Sequence, residues 1–225
     1  MLEKLSSTIK SIGDVVNLVA NHGIWKILQS ILIILVIVMF LNPEGTIEKI
    51  SGVIQQINKE KREYRLQNDP IIRGVLHEAV WNLNAVRASV LEFHNGKSNP
   101  SGLGFYFADM NYEIVRNNDC YVSQQYQNVN LSLINLPDYL YDNGYWYGTV
   151  EDLRELDPKL ASMIATNGTN WIAFLLLEGS DDLGILELSF AEEPADLKAV
   201  GREIRKVGST ISGCLDFTNR NKKKK

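Results

Sequence analysis

Hydrophobic residues recur at different spacings in different parts of this chain, and the longest apolar stretch is an almost unbroken run of them. Residues 27–43 contain no charged side chain. A helix of about 17 residues is roughly 25 Å long, at the short end of what crosses a bilayer. We therefore expect a single transmembrane helix over residues 27–43.

The residues around this stretch favour a retained span over a cleaved signal peptide. Trp25 and Lys26 precede it and are suited to be interface anchors, since an indole and a lysine stem both lie well at headgroup level. Gln29 and Ser30 are its polar side chains, and they either bond a neighbouring helix or lie inert at the interface. The weak excess of lysine before the span favours a domain outside the cytoplasm.

The first 26 residues show helical periodicity. One stripe carries the apolar residues Leu5, Ile9, Ile12, Val16 and Val19. A stripe of this kind predicts an amphipathic helix over residues 1–26, which lies on the membrane surface or packs on a partner protein.

After the span, isoleucines repeat at intervals of 3, 4 and 3. They are Ile47, Ile50, Ile54 and Ile57, and they form the a/d seam of about two heptads. The segment 44–68 is therefore either a stalk that self-associates or an amphipathic helix docked on its own domain. The following Asn-Asp-Pro is expected to interrupt the helix.

The remaining pattern predicts one α+β domain over residues 69–218, with helices flanking an antiparallel sheet. Residues 88–94 and 104–115 are rich in aromatic and β-branched side chains and predict strands. Residues 170–192 predict a hairpin. Helical stripes follow residue 70, lie within 157–167 and span 195–217. Residues 132–148 suggest a short helix and a turn.

Charge narrows the classes of partner. The chain has 23 basic and 27 acidic residues, and four of the basic ones are the C-terminal lysines. An acidic body repels phosphate backbones, so nucleic acid is not an expected partner. The basic tail 219–225 could touch anionic headgroups of a lipid bilayer.

No catalytic or metal-binding motif is visible, so we expect neither an enzyme nor a cofactor. The histidines share no ligand spacing with cysteine or carboxylates. His94 ends a strand before Asn95-Gly96, where it is part of a turn or faces a ligand. Only an unrecognised pocket acid, such as Glu92 or Glu113, would support catalysis.

The two cysteines are Cys120 and Cys214. Their spacing fits no metal site, and they are either buried thiols or, if the domain lies outside the cytoplasm, a disulfide.

Two resemblances follow from these elements. The helix, the strand ending in His94-Asn95-Gly96, the aromatic strand, the hairpin and the last helix together resemble the GAF/PAS-type sensor fold over residues 69–218. The layout of the whole chain resembles the T-even-type phage holins, with the late strand 181–190 and the terminal lysines as the closest local correspondence.

The holin resemblance implies a function in host-cell lysis. It implies a homo-oligomer in the bacterial inner membrane that permeabilises it to release endolysin, with a periplasmic domain that regulates timing and receives an antiholin-type partner. The alternative is a membrane-tethered GAF/PAS-type small-molecule sensor or binding module.

Overall fold

The structure, a computed structural model, describes residues 43–98, 104–116, 121–179 and 182–220, and it also places residues 25, 28, 29, 31–33 and 36 in helix. The chain divides into two compact units, Met1–Glu60 and Lys61–Lys225. The second unit begins before the predicted boundary at residue 69.

The predicted membrane segment lies mostly outside the described residues. Within the described part of the chain, no helix is both long and apolar enough to cross a membrane. Lys26, Ser30 and residues 1–24 lie outside that part, while Trp25 and Gln29 are helical and exposed. The span 27–43, its anchors and polar contacts, and the helix over 1–26 stay predictions.

The secondary structure confirms an α+β fold and adds short elements to the predicted ones. In chain order, the elements are α1 (Pro43–Asn82), β1 (Arg87–Ser98), β2 (Gly104–Val115), a 3-10 helix (Ser123–Tyr126), β3 (Val129–Asn130), a second 3-10 helix (Leu131–Leu133), α2 (Leu136–Asn143), β4 (Tyr145–Thr149), α3 (Val150–Leu156), α4 (Pro158–Ala165), β5 (Trp171–Glu178), β6 (Asp182–Phe190), α5 (Leu197–Leu215) and α6 (Phe217–Arg220).

The strands that the structure describes form one antiparallel sheet of six strands in the order β3-β2-β1-β6-β5-β4. The predicted hairpin is β5 and β6, whose register pairs Trp171 with Phe190. The sequence predicts a turn where the structure has β4, because the aromatic residues of that short segment pair with β5 as an edge strand.

Each face of the sheet has its own hydrophobic layer, because side chains alternate across a strand. On one face, α1 and α5 cover a layer that includes Ile72, Leu76, Ala88, Val90, Tyr112, Trp171, Leu186, Leu188, Ile204 and Ile211. On the other face, α2, α3 and α4 cover a layer that includes Leu91, Met110, Tyr126, Leu136, Leu140, Leu153, Ile164, Ile172, Phe174 and Ile185. The sheet is thus buried on both sides.

Helix α1 continues through Pro70, where an interruption was expected. Proline removes one backbone hydrogen bond and usually costs a few kcal/mol in a helix interior. Here Ile72 and Leu76 are fully buried after it, and Asn68 Nδ2 donates to the carbonyl oxygen of Cys214 at 3.1 Å before it. Packing on both sides of the proline offsets the lost bond.

Candidate ligand-binding site

A group of buried polar side chains lies on the α2–α4 face of the sheet. Residues that face one another across β1, β2 and β6 meet there, since Ser89 pairs in register with Glu113 on one side and with Glu187 on the other. The full group, here called the polar cluster, is Arg87, Ser89, Glu113, Glu187 and Ser189, and each of these residues is at most 7% exposed.

An ion pair between β1 and β2 holds this cluster together. Arg87 Nε donates to Glu113 Oε1 at 2.9 Å, and both side chains are at most 4% exposed. The Glu113 carboxylate also accepts from the backbone N–H of Val122, at 2.9 and 3.1 Å, and from that of Ser123, at 2.9 Å. A buried charge needs such a full set of partners. The ion pair therefore fixes the start of the 3-10 helix against the sheet.

Glu187 is the second buried carboxyl group of the cluster. Burial raises its pKa above the usual range, against the hydrogen bond from Ser189 and the charge of Arg87, which act in the opposite direction. Ser189 Oγ donates to Glu187 Oε1 at 2.6 Å. Because the apolar surroundings penalise the carboxylate, the structure favours the protonated acid.

Tyr126 covers the cluster from the 3-10 helix. It is 2% exposed, and burial together with the Glu187 carboxyl group raises the pKa of its hydroxyl. Asn167 Nδ2 donates to Tyr126 Oη at 3.2 Å and to the carbonyl oxygen of Met163 at 3.3 Å. The loop after α4 is thereby tied to the ring over the cluster.

A cavity of about 470 Å³ opens beside these residues. Arg87 of β1 and Val122, which caps the 3-10 helix Ser123–Tyr126, line it, and Gln125, Thr166 and Asn167 add polar groups. Gly168 also lines it. The hydroxyl of Thr169, a residue that is 2% exposed, is buried and has no hydrogen-bond partner within the described part of the chain. A buried hydroxyl left unpaired costs about 1–3 kcal/mol. The cavity thus combines ligand-sized volume with polar groups held in fixed positions.

His94, the predicted ligand-facing residue, lies away from this cavity. It is seven residues beyond Arg87 on β1, about 23 Å along an extended strand. Its ring stacks on Phe107, with centroids 6.0 Å apart, and its Nε2 lies 3.2 Å from Asp109 Oδ2. The structure places His94 at the opposite end of the strand from the polar cluster.

The other described residues that were singled out from the sequence do not line the cavity, although one of them lies beside it. Glu113 belongs to the polar cluster, whereas Glu92 forms an ion pair with Arg65 of α1. Cys214 is buried, has no disulfide partner among the described residues, and its pKa is raised by burial. Cys120 lies outside the described residues, so its pairing with Cys214 stays a prediction.

The predicted seam of α1 is exposed. The exposed fractions are 63% for Ile47, 49% for Ile50, 53% for Ile54 and 43% for Ile57. Self-association through these side chains stays a prediction.

The sequence analysis missed Arg87, Glu187 and Asn167. A signal was present, because Glu187 interrupts a run of apolar residues in a strand that has helices on both faces. A charged residue at such a position requires a buried partner. The identity of that partner depends on strand order, which the local pattern does not specify.

Comparison with known proteins gives no match to any protein family and none to curated sequences. Nothing in these comparisons supports the holin resemblance.

Solved structures are similar in fold. A far-red cyanobacteriochrome photoreceptor shares 9% identity and a TM-score of 0.51, over 74% of this chain and 95% of its own. The PixJ GAF domain of Thermosynechococcus elongatus, in its blue-light absorbing form, shares 16% identity and a TM-score of 0.50, over 69% of this chain and 84% of its own. A structure of the cyanobacteriochrome receptor PixJ shares 14% identity and a TM-score of 0.50, over 69% of this chain and 95% of its own. The chain therefore contains a domain with a GAF-like fold.

Proposed function

We propose that this protein is a small-molecule sensor or binding module of the GAF type, tethered to a membrane by the predicted span 27–43. The observation that carries the proposal is the cavity of about 470 Å³ beside the polar cluster. The GAF-like fold supports it, since similar folds serve as light-absorbing receptor domains in PixJ. Fold alone does not identify a ligand, so the ligand class must come from the walls of the cavity.

The cavity walls favour a small polar ligand without a strong net charge. Gln125 and Asn167 offer amide groups, and Thr166 adds a hydroxyl that donates to the carbonyl oxygen of Met163 at 2.8 Å. The charge of Arg87 is already balanced by Glu113. A strongly anionic or cationic ligand would disturb this balance in a site of low dielectric.

The test uses the full-length protein in detergent and a library of small neutral polar metabolites. A ligand that binds only the folded state raises the free energy of unfolding, by about 2.7 kcal/mol at a hundred times its Kd. We expect at least one compound to raise the melting temperature. Compounds that shift it are then titrated by calorimetry.

Two matched variants locate the site. Ala191 lines the cavity, so Ala191→Trp should fill it and weaken binding at least about tenfold. Ala165 is an exposed alanine of α4 that does not line the cavity, and Ala165→Trp should bind as the wild type does. The proposal fails if no compound stabilises the protein, or if both variants bind equally well.

A further inference from the structure

A second concave surface lies on the opposite face of the sheet, between α5 and the edge strand β4. It encloses about 420 Å³. Trp171 of β5, 3% exposed, lies at its floor, and Tyr145 and Tyr147 of β4 form one wall. We call this surface the aromatic groove. It is separate from the cavity beside the polar cluster, which lies on the α2–α4 face.

The rings of the groove form a continuous row. Tyr145 and Tyr147 are stacked with centroids 6.0 Å apart and an interplanar angle of 10°. Tyr147 in turn stacks on Trp171, with centroids 5.8 Å apart and an angle of 30°. Tyr145 is 48% exposed and Tyr147 is 51% exposed. Two large rings are thus held parallel and accessible, which is the arrangement that a planar ligand requires for stacking.

Two glycines of α5 mark a place where the helix touches β5 and a place where it leaves space. Near its C-terminal half, a Cβ at Gly208 would come within 2.3 Å of Leu175 Cδ2, so helix and strand are in direct contact there. About two helical turns nearer the start of the helix, a Cβ at Gly201 would meet only Arg205, at 3.5 Å or more. The space beside Gly201 is the part of the groove that the helix leaves unfilled.

The wall opposite the tyrosines is cationic. Lys198, Arg202 and Arg205 are exposed and line the groove at intervals of four and three residues, so they form one stripe along α5. Among the described residues, none of the three is in an ion pair.

The acidic residues of the same helix segment are engaged elsewhere. Asp196 Oδ1 accepts from the backbone N–H of Ala199 at 2.9 Å, and Glu203 pairs with Lys206 at 3.2 Å. Three cations therefore line the groove together with a row of aromatic rings, and no acidic residue that the structure describes is paired with them. We propose that the aromatic groove binds a small planar aromatic anion, with the ring stacked on Tyr145 and Tyr147 and the phosphate or carboxylate at Lys198, Arg202 and Arg205.

The size and charge of the molecule favour a small ligand over a nucleic-acid strand. A volume of about 420 Å³ is that of a site for one small molecule. The chain as a whole has a net charge of −4, which repels a polyanion beyond the groove itself.

Calorimetry on the full-length protein in detergent tests this proposal with five probes. AMP carries a ring and a phosphate, adenosine lacks the phosphate, ribose 5-phosphate lacks the ring, indole-3-acetate carries a ring and a carboxylate, and oligothymidylate is a polymer. We expect AMP, indole-3-acetate or both to bind at least about tenfold more tightly than adenosine and ribose 5-phosphate. Which of the two binds identifies a phosphate or a carboxylate ligand. Binding of neither overturns the proposal, as does tighter binding of the oligonucleotide than of either small anion.

Matched variants test whether the ligand binds in the aromatic groove. Lys198→Glu should weaken it at least about tenfold, whereas Lys159→Glu, the same change on exposed α4 across the sheet, should leave it unchanged. Tyr147→Ala should weaken it about fivefold or more, whereas Tyr121→Ala, at another exposed tyrosine, should not. Ala191→Trp should also leave it unchanged, because that residue lines the other cavity. If a variant and its control lose the same amount of affinity, the ligand does not bind in the groove.

Discussion

At the scale of single residues, the polar cluster shows how a sheet buried on both faces tolerates charge. Arg87 and Glu113 neutralise each other, and backbone N–H groups complete the partners of the carboxylate. The burial of Glu187 is tolerated in a different way. Its raised pKa favours the neutral acid, and burial penalises the neutral acid much less than a carboxylate. The two carboxyl groups, on the strands that flank β1, are thus accommodated differently because their partners differ.

This difference predicts a pH dependence of stability. A free carboxyl group in the unfolded chain loses its proton near pH 4.5, whereas folded Glu187 keeps it to higher pH. Above that pH the unfolded state binds fewer protons, so stability falls as pH rises until the pKa of the folded state is passed, by up to about 1.4 kcal/mol per pH unit. We expect Glu187→Gln to remove this fall, as measured by urea unfolding at a series of pH values.

The control for this prediction is Glu178→Gln, at an exposed carboxyl group that ends β5. Asp69 and Asp152 have lowered pKa values, and their contribution is lost in the acid range as pH falls. That loss is common to all three proteins and cancels in the comparison. A pH profile for Glu187→Gln that parallels the wild type would contradict the protonated state assigned here.

At the scale of elements, the part of α1 that follows residue 60 belongs to the second unit and is bonded to the sheet. Arg65 Nε donates to Tyr112 Oη at 2.9 Å, and the same guanidinium pairs with Glu92. Burial raises the pKa of Tyr112 to about 12, against the charge of Arg65, so its hydroxyl stays protonated as the acceptor of this bond. Strand β1 therefore carries both the Arg87 of the cavity and the Glu92 that anchors α1.

Local patterns predicted the long elements well. The strand over residues 104–115, the hairpin and the last helix follow directly from alternation and helical stripes, because each has enough residues to show its period. Strand β4 is five residues long, and its status as a strand depends on β5 beside it. The candidate site also depends on how the elements pack together, because its residues come from β1, β2, β6 and the loop after α4.

The isoleucine seam of α1 supports the self-associating stalk, one of the two alternatives that the sequence leaves open. Four isoleucines at a and d positions are exposed, and exposed apolar seams of this spacing are stabilised when another copy covers them. We expect the full-length protein in detergent to form oligomers, and we expect Ile54→Lys to weaken them by placing a charge in the seam. Analytical ultracentrifugation over a range of concentrations measures the effect.

The matched control for the seam is Gln55→Lys, which adds the same charge at an exposed position one residue outside it. If Ile54→Lys and Gln55→Lys have the same distribution of oligomers as the wild type, the isoleucines do not mediate association.

At the scale of the whole molecule, the two interpretations of the sequence differ in where the protein acts. A holin acts in the bilayer and collapses the membrane potential when it accumulates. A tethered sensor acts through its domain, for which the GAF-like fold and a polar cavity supply support. The predicted span 27–43 is compatible with both, because an uncharged helix of that length serves as an anchor or as part of an assembly.

Expression of the full-length chain in a bacterial host with a cytoplasmic endolysin separates them. We expect the membrane potential to survive at high accumulation and the endolysin to stay inside, as measured by a potential-sensitive dye and by culture turbidity. Collapse of the potential would instead support the holin interpretation. In that case the variant with both Gln29→Leu and Ser30→Leu should delay lysis, because polar contacts between helices in a bilayer contribute to assembly. A helix that serves only as a tether would retain its function without these contacts.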